Sequence, residues 1–162
     1  MLVILIAHAI AAAVAPALVQ RWGRQAFYPL ALVPAASLIW VGLNWPRAGH
    51  PPPSVDIPWV PELSMNIALR FDALAAIMSV LVLAIGALVL FYCADYFHHH
   101  DGHKEKRLPS FAAELVAFSG AMFGLVTSDN MLMLYVFWEI TTVLSFLPVS
   151  YTHLTLPTNR EV

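Results

Sequence analysis

The sequence predicts an all-α, polytopic membrane helix bundle of about five spans with its N-terminus outside. Three observations carry that reading. Of the 162 residues, 60% are hydrophobic and only 11% are charged, whereas an ordinary soluble domain is about 25% charged. A chain this short cannot hide so much apolar surface in its own core. The apolar residues also fall into long blocks without period-two alternation, and in lipid only helices or closed barrels can satisfy every backbone N–H and C=O.

The blocks follow in order. The first runs from about Leu2 to Val19 and the second from about Ala26 to Trp45. The third is about Ala73 to Tyr96, the fourth about Phe111 to Thr127, and the fifth begins at Met131. Arg21 and Arg24 follow the first block rather than precede it, the reverse of a secretory signal peptide, so a retained first membrane helix is expected. Pro16, Pro29 and Pro34 lie in or near the first two blocks and are tolerable there when neighbouring helices re-satisfy the freed carbonyls.

Residues 46–72 read as an ordered loop outside the membrane. Short strands are expected at "SVDI" and at "MNIALRF", where apolar and polar residues alternate. Trp45 and Trp59 suit a membrane interface. Orientation follows from the basic residues. Arg21, Arg24, Lys104, Lys106 and Arg107 follow the odd-numbered spans, against Arg47 and Arg70 on the other side. The positive-inside rule then puts the first and third loops in the cytoplasm.

Composition also excludes function classes. A net charge of -2 gives no basic bias toward nucleic acid. A single cysteine, Cys93, excludes an internal disulfide framework and a cysteine-based zinc site, and it reads as a small core residue. "HHHDGH" (98–103) has metal-ligand residue types without ligand spacing, in a basic loop, and reads as solvated. There is no phosphate loop, GxGxxG or nucleophile elbow. Neither a cofactor nor a metal is expected.

Glu139 is the residue that points to chemistry. From Met131 to Leu147 the polar residues are Glu139, Thr141, Thr142 and Ser145. Asp129 or Asn130 can cap this helix. At 1.5 Å per residue Glu139 then lies about 12 Å below the helix start, near mid-membrane. A carboxylate there costs several kcal/mol unless it is paired, hydrated or protonated, and such acids are functional by default. The competing reading is a structural glutamate bonded to a neighbouring helix. Other acids invite plainer readings. Asp72 and Glu114 are expected in first turns, where the helix dipole stabilises a carboxylate. Glu114 could also begin a proton path, and Asp95 near the end of the third span is ambiguous. His8, alone in the first span, reads as a packed polar residue rather than a relay member.

These residues also carry a family likeness. "WVPELSMNIALRFDALAAIMSVLVLAIGALVLFYCADYF" and "GAMFGLVTSDNMLMLYVFWEITTVLSFL" resemble the early part of the large antiporter-like membrane subunits. These include the biggest subunit of respiratory complex I and the A-type subunit of multisubunit Mrp-type cation/proton antiporters. Complex I members read like "GWEGVGLCSY" around the acid. Phe137, Trp138, Glu139, Ile140, Thr141 and Thr142, with Ser145 and Phe146, resemble the Mrp form. The family often shows Asp-Gly-Leu-Ser where this chain has Asp72, Ala73, Leu74 and Ala75.

The resemblance implies one component of a hetero-oligomeric complex in a bacterial inner membrane. It implies that sodium extrusion is coupled to proton entry through a buried Glu139, which pairs with a lysine on a later helix. A proton-pumping subunit of NADH–quinone oxidoreductase is the alternative, and a purely structural scaffold the third. No lysine lies in any span of this chain, so the partner lysine would belong to later helices.

Residues 73–148 are therefore expected to hold spans three to five. After Leu147, where the family continues apolar, the chain reads "PVSYTHLTLPTNREV". This stretch resembles a translated transposase adapter from a sequencing library: GTC TCT TAT ACA CAT CTG ACG CTG CCG ACG would spell Val149 to Thr158. Residues 149–162 are thus expected to be non-biological, leaving a fragment with a shortened fifth span. The coding DNA decides this, because other codons there would exclude an adapter.

Overall fold

In the computed structural model, residues 1–47, 49–60, 65–96 and 108–153 are described, with the side chains of 59, 60, 65 and 147–153 excepted. The chain forms helix α1 (Leu2–Trp22), a short 3-10 turn (Gly23–Ala26), α2 (Phe27–Leu43), a hairpin of β1 (Ser54–Val60) and β2 (Met65–Arg70), α3 (Ala73–Tyr96), α4 (Leu108–Thr127) and α5 (Met131–His153). The expected element order is met, including both short strands. The stretches Leu2–Leu43, Ala73–Tyr96 and Leu108–Thr127 are long and apolar enough to cross a membrane, and Met131–Phe146 is a shorter apolar helix.

The first of those stretches is two antiparallel helices. Gly23 breaks it with a φ of 59°, a left-handed conformation that glycine adopts at no steric cost. Its N–H bonds the Val19 carbonyl and so closes α1. Two apolar clusters record how the helices alternate in direction. One joins the end of α1 (Ala15, Val19) to the start of α2 (Phe27, Leu30), the end of α3 (Leu90, Cys93) and the start of α4 (Ala112, Val116). The other joins Ile4, Val41, Phe71, Ala75, Leu83 and Phe123, the opposite ends of the same helices. Cys93 is buried in the first cluster, as a small core residue should be.

Large apolar side chains such as Val3, Leu32, Ile39, Leu43, Leu88 and Met131 stand exposed around the outside. Apolar groups turned outward on this scale are what lipid requires and water penalises.

α4 is the central helix. It packs against α1, α3 and α5, while α2 packs chiefly on α3. Its small residues allow this. A Cβ on Gly120 would run into the His8 side chain of α1, and a Cβ on Gly124 into the Phe137 ring of α5. On a third side, a Cβ on Gly86 of α3 would come within 2.6 Å of Ser119 Oγ. Close backbone approach of this kind supplies dispersion contacts between helices where the hydrophobic effect cannot.

The hairpin sits at the end of the bundle where α4 meets α5. Its register pairs Ser54 with Arg70 and Ile57 with Ile67, with an irregularity between Pro58 and Val60. Proline there has no N–H to give the ladder. The free edge of β2 is tied to the α4–α5 turn: Leu69 bridges Ser128, and Asp129 N–H donates to Ala68 O at 2.9 Å. Trp40 and Phe71 stack edge to face at 5.4 Å beneath the hairpin.

One expectation is corrected. α4 begins at Leu108, with Pro109 in its first turn where a missing N–H does no harm. Glu114 therefore lies in the second turn, not the first, and a helix-terminus role does not apply to it. The fifth helix also runs on past Pro148 to His153 by its backbone. The "HHHDGH" segment and residues 154–162 lie outside the described residues.

The Gly124 contact gives a test. In the full-length protein, Gly124→Ala should lower stability by about 1–3 kcal/mol through overpacking. A second change, Phe137→Leu, should restore part of that loss. Thermal unfolding of the purified membrane protein, read for the two single variants and the pair, measures the coupling.

Candidate functional site

α5 is positioned by its first turn. Asn130 Oδ1 accepts the Met133 N–H at 2.7 Å, the N-cap that the sequence anticipates. The same side chain donates through Nδ2 to Asn66 O in β2 at 2.6 Å. One asparagine thus fixes the start of α5 and locks it to the hairpin. Asp72 does the equivalent for α3, accepting the Ala75 N–H at 2.9 Å, so the plain reading of Asp72 as a capping acid holds.

Below that cap, α5 has two faces. Leu132, Met133, Phe137, Thr141 and Leu144 are half-buried and turn toward α4. Tyr135, Trp138, Glu139, Thr142 and Phe146 are exposed at spacings that place them together on the other side. Among the described residues that second face stands exposed, since α5 packs chiefly on α4 and touches β2. The burial expected of Glu139 is therefore not provided by the described residues. Its carboxylate has no hydrogen bond or ion pair among them.

The hydroxyls near Glu139 are already occupied. Thr141 and Thr142 both donate to the Trp138 carbonyl, at 2.7 and 3.0 Å, and Ser145 donates to Thr142 O at 2.9 Å. Such back-bonding lets a hydroxyl sit in an apolar helix without a partner elsewhere. Among the described residues of α5, Glu139 is the one ionisable acid, and its carboxylate makes no bond to its own helix.

The remaining candidates are placed separately. Asp95 accepts a long 3.4 Å bond from Tyr28 OH, linking α3 to α2. His8 is buried inside α1–α4, with Nδ1 at 2.9 Å from Ile4 O. Glu114 is half-buried on α4. Glu139, Asp95 and Glu114 share no contact. Sequence reasoning missed the second bond of Asn130 and the seat of His8 against Gly120. Both depend on which helices become neighbours, and only the G-x-x-x-G spacing at 120–124 hints at it.

Comparison with known proteins fits this geometry. Residues 57–106 match the family described as NADH-Ubiquinone oxidoreductase (complex I), chain 5 N-terminus. A probable K(+)/H(+) antiporter protein of the A/B type from Rhizobium meliloti (strain 1021) is 44% identical over 97 residues, 60% of this chain and 9% of that protein. Over that region the chain is homologous to the A-type antiporter subunits. A putative antiporter subunit mnhA2 of Staphylococcus aureus (strain MRSA252) is 41% identical over 98 residues, 60% of this chain and 12% of that protein. Among solved structures, the Mrp complex from Dietzia sp. DQ12-45-1b superimposes with a TM-score of 0.80 at 28% identity. That match covers 98% of this chain and 16% of the solved one. The chain thus spans a small part of the length of the relatives it matches.

The double role of Asn130 is open to measurement. Asn130→Ala should cost about 1–2 kcal/mol as a lost cap and free the hairpin edge as well. Hydrogen exchange in the full-length protein should speed up both in the first turn of α5 and at residues 66–69. Faster exchange in the helix alone would show that the tie to Asn66 contributes nothing.

Proposed function

We propose that this chain is the N-terminal part of the A-type subunit of a multisubunit monovalent cation/proton antiporter in a bacterial cell membrane. In this reading Glu139 is the group through which proton movement is coupled to cation extrusion. The observation that supports it is the placement of Glu139: one acid about eight residues into α5, on a face that the described residues leave exposed. An acid so placed needs a cation or water supplied by other protein, because lipid offers neither. The likeness to antiporter subunits supports an occupant for that face, since those proteins extend far beyond the region matched here.

The remaining features follow from this reading. The N-terminus, the hairpin and the Ser128–Asn130 turn lie outside, while Arg21 and Arg24 lie in the cytoplasm. Other antiporter subunits are the partners, and sodium is the cation. The Rhizobium relative is named for potassium, so both ions belong in any assay. Residues 149–162 are adapter-derived, which the codons would establish.

A second reading is a proton-pumping subunit of an NADH–quinone oxidoreductase. The description of the family matched at residues 57–106 favours it. Gene neighbours separate the two: genes for small antiporter subunits support the first, and genes for flavin or iron–sulfur subunits support the second.

The experiment is transport in everted membrane vesicles from a host lacking its own antiporters. The full-length protein with its partner subunits should dissipate a preformed proton gradient on addition of Na⁺ or K⁺. Glu139→Gln should reduce that response at least about tenfold, the equivalent of about 1.4 kcal/mol in the rate-limiting barrier. An undiminished response at normal expression would exclude Glu139 from the coupling.

A further inference from the structure

The interior of α1–α4 contains a polar layer that the antiport reading does not use. Each of the four helices contributes one side chain to it: His8 (1% exposed), Ser37 (4%), Ser79 (0%) and Ser119 (2%). Each lies one turn inward from a residue of a single apolar cluster. His8 follows Ile4, Ser37 precedes Val41, Ser79 follows Ala75, and Ser119 precedes Phe123. One-turn spacing keeps each pair on one helix face, so all four side chains face the interior. Ser119 packs on Gly86 of α3, so Ser79 lies about 10 Å further along that helix, beyond Leu83, and the polar groups occupy two levels. The second apolar cluster closes the layer from the other end through Leu30, Leu90 and Val116.

The hydrogen bonding inside this layer is incomplete. Ser37 donates to Val33 O at 2.9 Å and is satisfied. Ser79 Oγ, Ser119 Oγ and His8 Nε2 have no hydrogen-bond partner among the described residues. The two serines depart from the habit of this chain, in which Ser37, Thr127, Thr141, Thr142 and Ser145 all back-bond to their own helices. For His8 the tautomer follows from its other nitrogen. A carbonyl can only accept, so Nδ1 holds the hydrogen that goes to Ile4 O, and in the neutral ring Nε2 is a bare acceptor. Pro34 lies beside Gly86, on which Ser119 packs. Having no N–H, it leaves the Leu30 carbonyl one turn away without its helical donor. The layer therefore holds more acceptors than donors.

We infer that this interior binds ordered internal water at two levels, one where it donates to His8 Nε2 and bonds the Ser119 hydroxyl, and one where it bonds the Ser79 hydroxyl. Buried polar groups left unpaired are costly, and internal water making two to four such bonds is the usual remedy. Each water brings two donors, which is what a region rich in acceptors lacks. Apolar clusters lie at both ends of this interior, which fits bound water and not a through-path.

The test is hydroxyl-radical footprinting by X-ray radiolysis of the full-length protein in its complex, with H₂¹⁸O mixed in before exposure. Bound water should oxidise His8 and Phe123 well above the background set by Val116 and Leu90. ¹⁸O should enter those two sites more slowly than exposed residues. Labelling of His8 and Phe123 at the Val116 level would overturn the inference. The double variant Ser79→Ala, Ser119→Ala supplies a second readout. If the hydroxyls hold water, its thermal midpoint falls and His8 labelling is lost. A midpoint that stays put or rises means that the hydroxyls were dry, because removing an unpaired polar group from a dry site relieves it.

Discussion

Glycines at 120 and 124 let α4 approach two helices at backbone distance: the His8 side chain rests on one and the Phe137 ring on the other. In lipid there is little gain from hiding apolar surface, since the solvent is itself apolar. Helices are held by close packing and by the few polar contacts between them. α4 is where that requirement is met. Its small positions admit α1 and α5, and its Ser119 presses on Gly86 of α3. α1, α3 and α5 pack directly on this post, with α2 held chiefly through α3, and the contact of Phe137 with Gly124 helps set the direction Glu139 faces.

The hairpin completes the constraint from outside. The Ser128–Asn130 turn occupies the free edge of β2, which closes that edge to unwanted pairing. Asn130 joins the membrane part to the hairpin with one side chain that accepts from Met133 and donates to Asn66. Rotation of α5 about its axis would break the bond to Asn66. The open face of α5 is thus held by the chain's own contacts before any further protein packs on it.

Much of this was legible in the sequence, for reasons specific to membranes. The apolar blocks had to be helices because lipid satisfies no backbone group, and their order and length were close to those observed. Alternation in "NIALRF" gave the strand, and the residue types at Asp72 and Asn130 gave the caps. The start of α4 was placed three residues late because Leu108 and Pro109 precede the dense apolar run, which moved Glu114 out of the first turn. The burial of Glu139 was read from its depth along the helix, but depth says nothing of which side a residue faces. Among the described residues it stands exposed. The polar layer around His8 was invisible for the same reason: a lone histidine or serine reveals its neighbours only once four helices are assembled.

The account turns on what covers that face of α5. If it is an interface with further protein and water, Glu139 can be ionised and exchange protons. If it is a lipid face, it cannot. Site-directed labelling decides directly. In the full-length protein with all its native cysteines replaced, Cys93→Ala among them, the cysteine of Thr142→Cys, one turn from Glu139, should react with a small water-borne cationic thiol reagent. It should be shielded from a maleimide dissolved in the lipid. Rapid reaction from the lipid with no reaction from water would place the Glu139 face in the bilayer and contradict the account.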